Sequence, residues 1–522
     1  MACLDGHFHF PIGRGYGLAP HRSTIIALPV LTASLCAPFA LRLLALHDGS
    51  LCRGCHPSLA GPLSLFDQGP RTESAGARSG TPVHGRGNAP QPFAGGGLLC
   101  YTICMTDAMV PPREAELTTK PKLRHVEAHP IQHQGQAMVL LRDPLQLSDA
   151  SIAIPRPLAP LLGLMDGTRD SAGLEAALQV RAGLLLAPGL LAKLLADLDH
   201  AYLLDNERYA SAREGLLRAY REAPSRPASL AGTGYPPEPE QAAAYLQAYV
   251  DGLPPGGPEQ GAGPIRGLVS PHIDYGRGGP VYAEVWAAAA GAVRDADLVI
   301  VLGTDHQGSA GTLTLTRQSY ATPWGLLPTD EESVGALARA LGEEQVFAEE
   351  LHHRGEHSIE LAAMWLHFVR NGEPVPLVPV LCGHFGDFVS GRADPGEHQP
   401  FVTAVTVLKD IMATRRTLIV AAADLAHMGP AFGDANGLDF VGQAQARNAD
   451  GRLLQAVCNG NADAFFEQLK AEGDRRHVCG LPPIYLTLRL LQPSRGQAAG
   501  YDLCPADPQG MSFVSIAGAT LW

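Results

Sequence analysis

Two histidines and one cysteine stand where strand-like runs end, and together they could hold a metal ion. His272 lies in Ser270-Pro271-His272-Ile273-Asp274-Tyr275, His306 in Leu302-Gly303-Thr304-Asp305-His306, and Cys479 in His477-Val478-Cys479-Gly480. Two imidazoles and a thiolate form a three-ligand set that leaves positions open for water, O2 or a substrate. A thiolate in place of a carboxylate softens the set, so it admits Cu or Zn beside Fe(II), the ion we expect first. Ligation would keep Cys479 deprotonated. Each residue alone has a plainer role. A histidine beside a proline is usually a loop or capping residue, and Cys479 ahead of Leu481-Pro482-Pro483-Ile484 could be a small buried apolar side chain.

Other polar residues gather at neighbouring ends. Asp424 and His427 follow the apolar run Leu418-Ile419-Val420-Ala421-Ala422. His353, Glu356, His357 and Ser358 precede an amphipathic segment from Ile359 to Val369. We expect catalytic roles for Asp424, His427 and His357: either imidazole could move a proton near neutral pH, and Asp424 could orient His427. Gly355 between His353 and His357 speaks for a loop there. His367, His384, His398 and His477 have no motif around them and read as structural.

The elements that must position these residues alternate between strand and helix from about Arg226 onward. Gly267–Ser270, Leu298–Leu302, Val375–Leu381 and Leu418–Ala422 are short apolar runs, as expected of strands buried on both faces. Pro280–Val293 reads as an Ala-rich helix, and another helix should open around Asp434-Ala435-Asn436. That alternation predicts an α/β domain, a central sheet flanked by helices, which binds its ligands beyond the carboxyl ends of the strands.

The bulk composition excludes several classes. The 522 residues are too many for one compact core, so two or three domains are expected. A net charge of −13 with no Lys/Arg run argues against nucleic-acid binding. Ten scattered cysteines are no disulfide scaffold and suit a reducing cytoplasm. Residues 1–104 stand apart: they hold six of the ten cysteines, no lysine, and only Asp5, Asp48, Asp67 and Glu73 as acids. Ile25–Leu46 is apolar enough to suggest a membrane or signal segment, and Cys52-Arg53-Gly54-Cys55-His56 matches a haem-attachment pattern. The plainer expectation is a disordered or spurious extension, with no membrane contact and no haem. Residues 120–222 read as a small, mainly helical, winged-helix-like domain with a short strand pair. Ala137–Leu141 is one of its strands, and helices fall around Leu158–Gly167 and Leu184–Leu204. It has some likeness to small peptide-binding domains of modification pathways, which suggests a docking or regulatory module.

The segment 226–522 resembles the Memo-like family, also called AmmeMemoRadiSam system protein B. The resemblance rests on ordered motifs: Arg226-Pro227-Ala228 with Ala231-Gly232 and Tyr235-Pro236; Pro271-His272 with Tyr275, Gly279 and Pro280; Leu302-Gly303-Thr304-Asp305-His306; Tyr320 with Thr322-Pro323, Gly325 and Asp330; Glu356-His357-Ser358-Ile359-Glu360-Leu361; Val378-Pro379-Val380-Leu381; Asp424-Leu425-Ala426-His427; and Cys479-Gly480. Ile273-Asp274 replaces the family's usual Ala-Gly, Thr304-Asp305 replaces Pro-Ser, and Gln307 stands where a second histidine is common. The resemblance implies a fold like that of class III extradiol dioxygenases. It also implies metal ligation by His272, His306 and Cys479, with Asp424 and His427 lining the same pocket. It suggests a non-haem metal-dependent oxidoreductase or dioxygenase in a radical-enzyme-associated modification pathway, acting on a small molecule or peptide in the cleft. The competing expectation is a non-catalytic module that uses the same cleft to bind a peptide or carry metal.

Overall fold

The computed structural model describes residues 120–254 and 263–522, and the backbone of Ile25–Ala27. The C-terminal domain is built on one mixed sheet. Its strands are β5 (Gly267–Ser270), β6 (Leu298–Thr304), β7 (Leu313–Leu315), β10 (Leu377–Cys382), β11 (Thr417–Ala422), β12 (His427–Met428), β13 (Gly496–Pro505) and β14 (Phe513–Leu521), while β8 (Tyr320–Thr322) and β9 (Gly325–Leu327) form a separate hairpin. Four further strands, β1 to β4, belong to the smaller domain described below. The sheet order is β12-β14-β5-β11-β6-β10-β7, with β13 added on β14. β5, β11, β6 and β10 run parallel, and β7, β12, β13 and β14 are antiparallel to their neighbours.

All four parallel strands were legible from their apolar runs, and the reason is visible in their burial. Leu298, Ile300 and Leu302 of β6 enter one core while Val299 and Val301 enter the other. In β11, Ile419 and Ala421 face one way, and Leu418, Val420 and Ala422 the other. A strand covered on both faces has no polar side, so its sequence shows a continuous apolar run.

The helices depart from expectation at their ends. The expected helix from Pro280 begins earlier, at Tyr275, because the Asp274 side chain accepts the Arg277 N–H and caps it. Pro280 sits inside it, and the chain breaks at Ala289 before a short helix Ala290–Asp295. The helix expected near Asp434 opens at Phe440, where Asp439 provides the cap instead. The helix expected to be amphipathic begins at His357 and runs to Val369, and it is buried on nearly all sides.

Residues 120–222 hold one strand more than the pair expected there. β2 (Glu127–His133), β3 (Gln136–Arg142) and β4 (Ser151–Pro155) form an antiparallel meander ahead of four helices, Ala159–Leu164, Ser171–Ala182, Leu190–His200 and Glu207–Glu222. β1 (Ile25–Ala27) lies on the far side of β4. β3 contains the expected Ala137–Leu141, but β2 was hidden by its polar residues and Pro130. The helix expected from Leu184 starts at Leu190, after Gly189 at φ +80°. Its leucines 191, 194, 195 and 198 are core, packed with Ile152, Ile154 and Leu174. This module meets the C-terminal domain through Leu145, Leu217 and Tyr220 against Leu351, and through Arg221 on Glu350 at 2.7 Å. The expectations for the haem-like pentapeptide and for the apolar stretch after Ala27 fall outside the described residues. No described helix is long and apolar enough to cross a membrane.

Candidate metal centre

The site forms beyond the carboxyl ends of β5, β6 and β11. β5 delivers His272, which is fully buried. Its backbone N–H donates to Asp424 Oδ1 at 2.8 Å, and its ring Nδ1 lies 3.0 Å from the carbonyl of Ala422. A carbonyl can only accept, so Nδ1 carries the proton and Nε2 keeps its lone pair.

β6 delivers His306, and the helix His357–Val369 delivers His357 at its first turn. The two meet because Gly303 lets the helix start close against the strand: a Cβ there would lie 2.5 Å from Ile359 Cγ1. Ser358 Oγ then donates to the Thr304 carbonyl at 2.9 Å. Glu356 bridges the two imidazoles from behind. Its carboxylate accepts from the backbone N–H of His306, His357 and Ser358. It also lies 2.8 Å from His306 Nδ1 and 3.1 Å from His357 Nδ1. Glu356 is buried, which works against its charge, but His306 and His357 outweigh that and hold its carboxyl well below the usual range.

One arrangement therefore repeats three times: Nδ1 is tied to a protein acceptor, which leaves Nε2 with the lone pair. One ring nitrogen of each of His272, His306 and His357 lies within 4.8 Å of the others, and this is the one such cluster among the described residues. His306 and His357 stack at 4.9 Å between centroids, and the His272 ring stands edge-on to both at 5.1 and 5.4 Å. Nε2 of His306 is buried and makes no hydrogen bond. A buried, unsatisfied nitrogen is costly unless something else engages it.

Cys479 approaches from the other side. Its Sγ lies 3.3 Å from His272 Nε2. Gly480 allows this, because a Cβ there would lie 2.3 Å from the Asp424 carbonyl. The Cys479 carbonyl accepts from Thr304 Oγ1 at 3.1 Å, which ties this loop to the end of β6. Asp424 is fully buried, with Oδ1 spent on the backbone N–H groups of His272 and Ile273 and Oδ2 3.6 Å from His272 Nε2. It supports the turn that carries His272. The His427 ring is placed by carbonyls, with Nδ1 at 3.1 Å from both Leu425 O and His477 O, and it stands edge-on to Phe432.

Some residues singled out from the sequence point elsewhere. Asp305 turns away from the site, its Oδ2 lying 3.0 Å from His352 Nδ1. His353 lies between Tyr320 and the Thr314 carbonyl, and burial pushes its pKa down to about 4. Two supports went unread. Glu356 stood in the motif, but nothing marked it as the acceptor for two imidazoles. Arg226, also fully buried, pairs with Glu360 and donates to the carbonyls of His353 and Glu356 at 2.7 Å each, so it braces the turn that carries His357.

The strand-end cluster of imidazoles beside a mixed α/β sheet is one that could hold a metal ion. Residues 226–519 match the family model for Memo-like protein, and the chain belongs to the Memo-like family. A MEMO1 family protein of Methanopyrus kandleri is 32% identical over 285 residues, covering 53% of this chain and 91% of that relative. One of Aquifex aeolicus is 27% identical over 411 residues, covering 77% of this chain and all of the relative, so the likeness reaches back into the module before residue 226. One of Thermus thermophilus is 28% identical over 348 residues, covering 65% and 95%.

Proposed function

We propose that this protein binds a single metal ion, Fe(II) first and Cu or Zn as alternatives, between His272, His306 and Cys479, with His357 as a fourth candidate ligand. The observation that carries the reading is the shared orientation of the histidines: every Nδ1 is tied down and a ring nitrogen of each converges on the same space. The donors suit such an ion. Nitrogen ligands at about 2.0–2.1 Å in tetrahedral geometry stand roughly 3.3 Å apart, so an ion would draw the present cluster inward. Glu356 behind two of the imidazoles is the kind of carboxylate support that fixes tautomer and raises ligand basicity.

When bound, such an ion would supply Lewis acidity, and Fe or Cu also one-electron chemistry, at the partly open face formed by His306 and His357. Cys479 brings charge and softness, and the Asp424 carboxylate steadies the loop that carries His272. His427 is placed to hold or pass a proton at Nε2, since Nδ1 is committed to carbonyls. This supports an oxidoreductase or dioxygenase acting on a small molecule or peptide in a modification pathway. Cys382, Cys458, Cys479 and Cys504 are all unpaired thiols, which suits a reducing cytoplasm.

Cobalt substitution tests the ligand set. Co(II) titrated anaerobically into the full chain should give a thiolate-to-metal charge-transfer band. Cys479→Ser should abolish that band, and His272→Ala should abolish binding. His357→Ala should keep the band but alter the ligand-field region. Equal cobalt binding by the parent and both first variants would sink the assignment.

A further inference from the structure

The small domain completes an antiparallel meander, β2-β3-β4, and then adds a fourth strand from a distant part of the chain. Ile25 stands opposite Ser151, Ile26 opposite Ile152 and Ala27 opposite Ala153, in parallel register. The resulting order is β1-β4-β3-β2, so the added strand covers the β4 edge and leaves β2 as the other edge.

The two edges differ in chemistry. β2 carries Pro130, which lacks an N–H, together with Glu127, His129 and His133. Proline and polar side chains on an edge strand discourage further pairing. β4 reads Ser151-Ile152-Ala153-Ile154-Pro155, has no proline before its last residue, and is buried along its whole length. Along a strand, successive backbone groups point alternately toward the two neighbours. β3 can satisfy only half of those on β4, and the other half would be buried without partners unless another strand supplied them. The surroundings of β4 are also apolar on both faces. Ile152 and Ile154 join the helical core, while Ala153 lies with Met138 and Leu140 on the opposite face, beside Ile131.

We propose that the β4 edge is a docking edge for an extended apolar peptide, bound by strand addition, and that the chain's own Ile25–Ala27 segment is its occupant. Backbone pairing to β4 provides the affinity, and the apolar surroundings of β4 favour an apolar occupant. The inference is independent of the metal site. It assigns a role to part of the apolar stretch from Ile25, which the metal chemistry leaves unexplained.

The test uses the full chain and a synthetic peptide of residues 21–32, His-Arg-Ser-Thr-Ile-Ile-Ala-Leu-Pro-Val-Leu-Thr. The paired change Ile26→Pro with Ala27→Pro removes two successive N–H groups, so one facing β4 is lost whichever way the strand is turned. Amide exchange in the segment 148–158 should then quicken by about tenfold or more. The labelled peptide should bind this variant at least roughly tenfold more tightly than it binds the parent, whose own segment competes. Adding the peptide should restore the slow exchange, and a scrambled peptide should do neither. Ile25→Asp with Ala27→Asp disrupts the pairing by different chemistry and should behave alike. Unchanged exchange in both variants, equal peptide binding by variant and parent, or equal binding of the scrambled peptide would each overturn the proposal.

Discussion

Glu356→Gln is the sharpest test of how the centre is organised, because it changes charge and donor pattern while keeping shape. Glu356 accepts three backbone N–H groups and stands against two imidazole Nδ1 atoms. A glutamine keeps only one oxygen. Placed where Oε1 is, that oxygen still caps the helix through His357 N–H and Ser358 N–H. The new NH2 group then faces the backbone N–H of His306, a donor, and replaces the nearer of the two oxygens beside Nδ1, which lies 2.8 Å from Oε2 and 3.0 Å from Oε1. His306 then either holds on through Oε1 alone, against a repelling NH2, or moves its proton to Nε2, the atom proposed to face the metal. Flipping the amide rescues His306 but loses the helix cap and the His357 contact. Either way one imidazole is mispositioned. Loss of such support typically costs about 10–100-fold in metal affinity, or roughly 1.4–2.8 kcal/mol. The buried donors left facing each other should also lower the stability of the metal-free protein by about 1–3 kcal/mol. Isothermal titration with Zn(II), and anaerobically with Fe(II), measures the first effect, and urea denaturation in chelator measures the second. Glu356→Ala should be worse on both. Metal affinity within twofold of the parent in both variants would refute the claim that Glu356 sets the tautomers.

Three further outcomes follow from the same geometry. Burial pushes the Asp474 carboxyl up to about 7, so the folded state keeps a proton that the unfolded chain releases near pH 4; stability should fall as pH rises from about 4 to 7 and then level off. The full shift corresponds to roughly 4 kcal/mol, but Asp474 is only partly buried and about 1–2 kcal/mol is expected. Asp474→Asn, which still accepts from the Val478 N–H and tolerates φ +47°, should therefore stabilise the protein at pH 8 and not at pH 4, as read from denaturation midpoints. Breaking the buried Arg226–Glu360 pair by Arg226→Ala should cost about 3–5 kcal/mol, and the double change with Glu360→Ala less than the sum of the singles; strict additivity in a double-mutant cycle would show that the pair is not coupled. A metal at 100 times its dissociation constant should add about 2.7 kcal/mol to the unfolding free energy of the parent and nothing to His272→Ala, and equal stabilisation of both would place the ion elsewhere.

Much of the C-terminal domain was legible because its physics is local. β6 and β11 are buried on both faces, so each shows as an unbroken apolar run, and the polar residues just past their ends mark the ligand side of the sheet. The net negative charge and the ordered motifs needed no coordinates either. The helix boundaries were less legible: Asp274 and Asp439 look like any other aspartate until the chain around them turns.

The sequence by itself therefore determined an α/β domain of the Memo-like family with reactive residues at its strand ends. Only the tertiary structure decided how those residues divide their work. The close approach permitted by Gly303 brings His357 beside His306, with Glu356 behind both, although they come from elements about fifty residues apart. Asp424 supports His272, while two backbone carbonyls hold His427. Spacing along the chain carries no record of such contacts, because they depend on how a strand end, a helix start and a loop pack against one another.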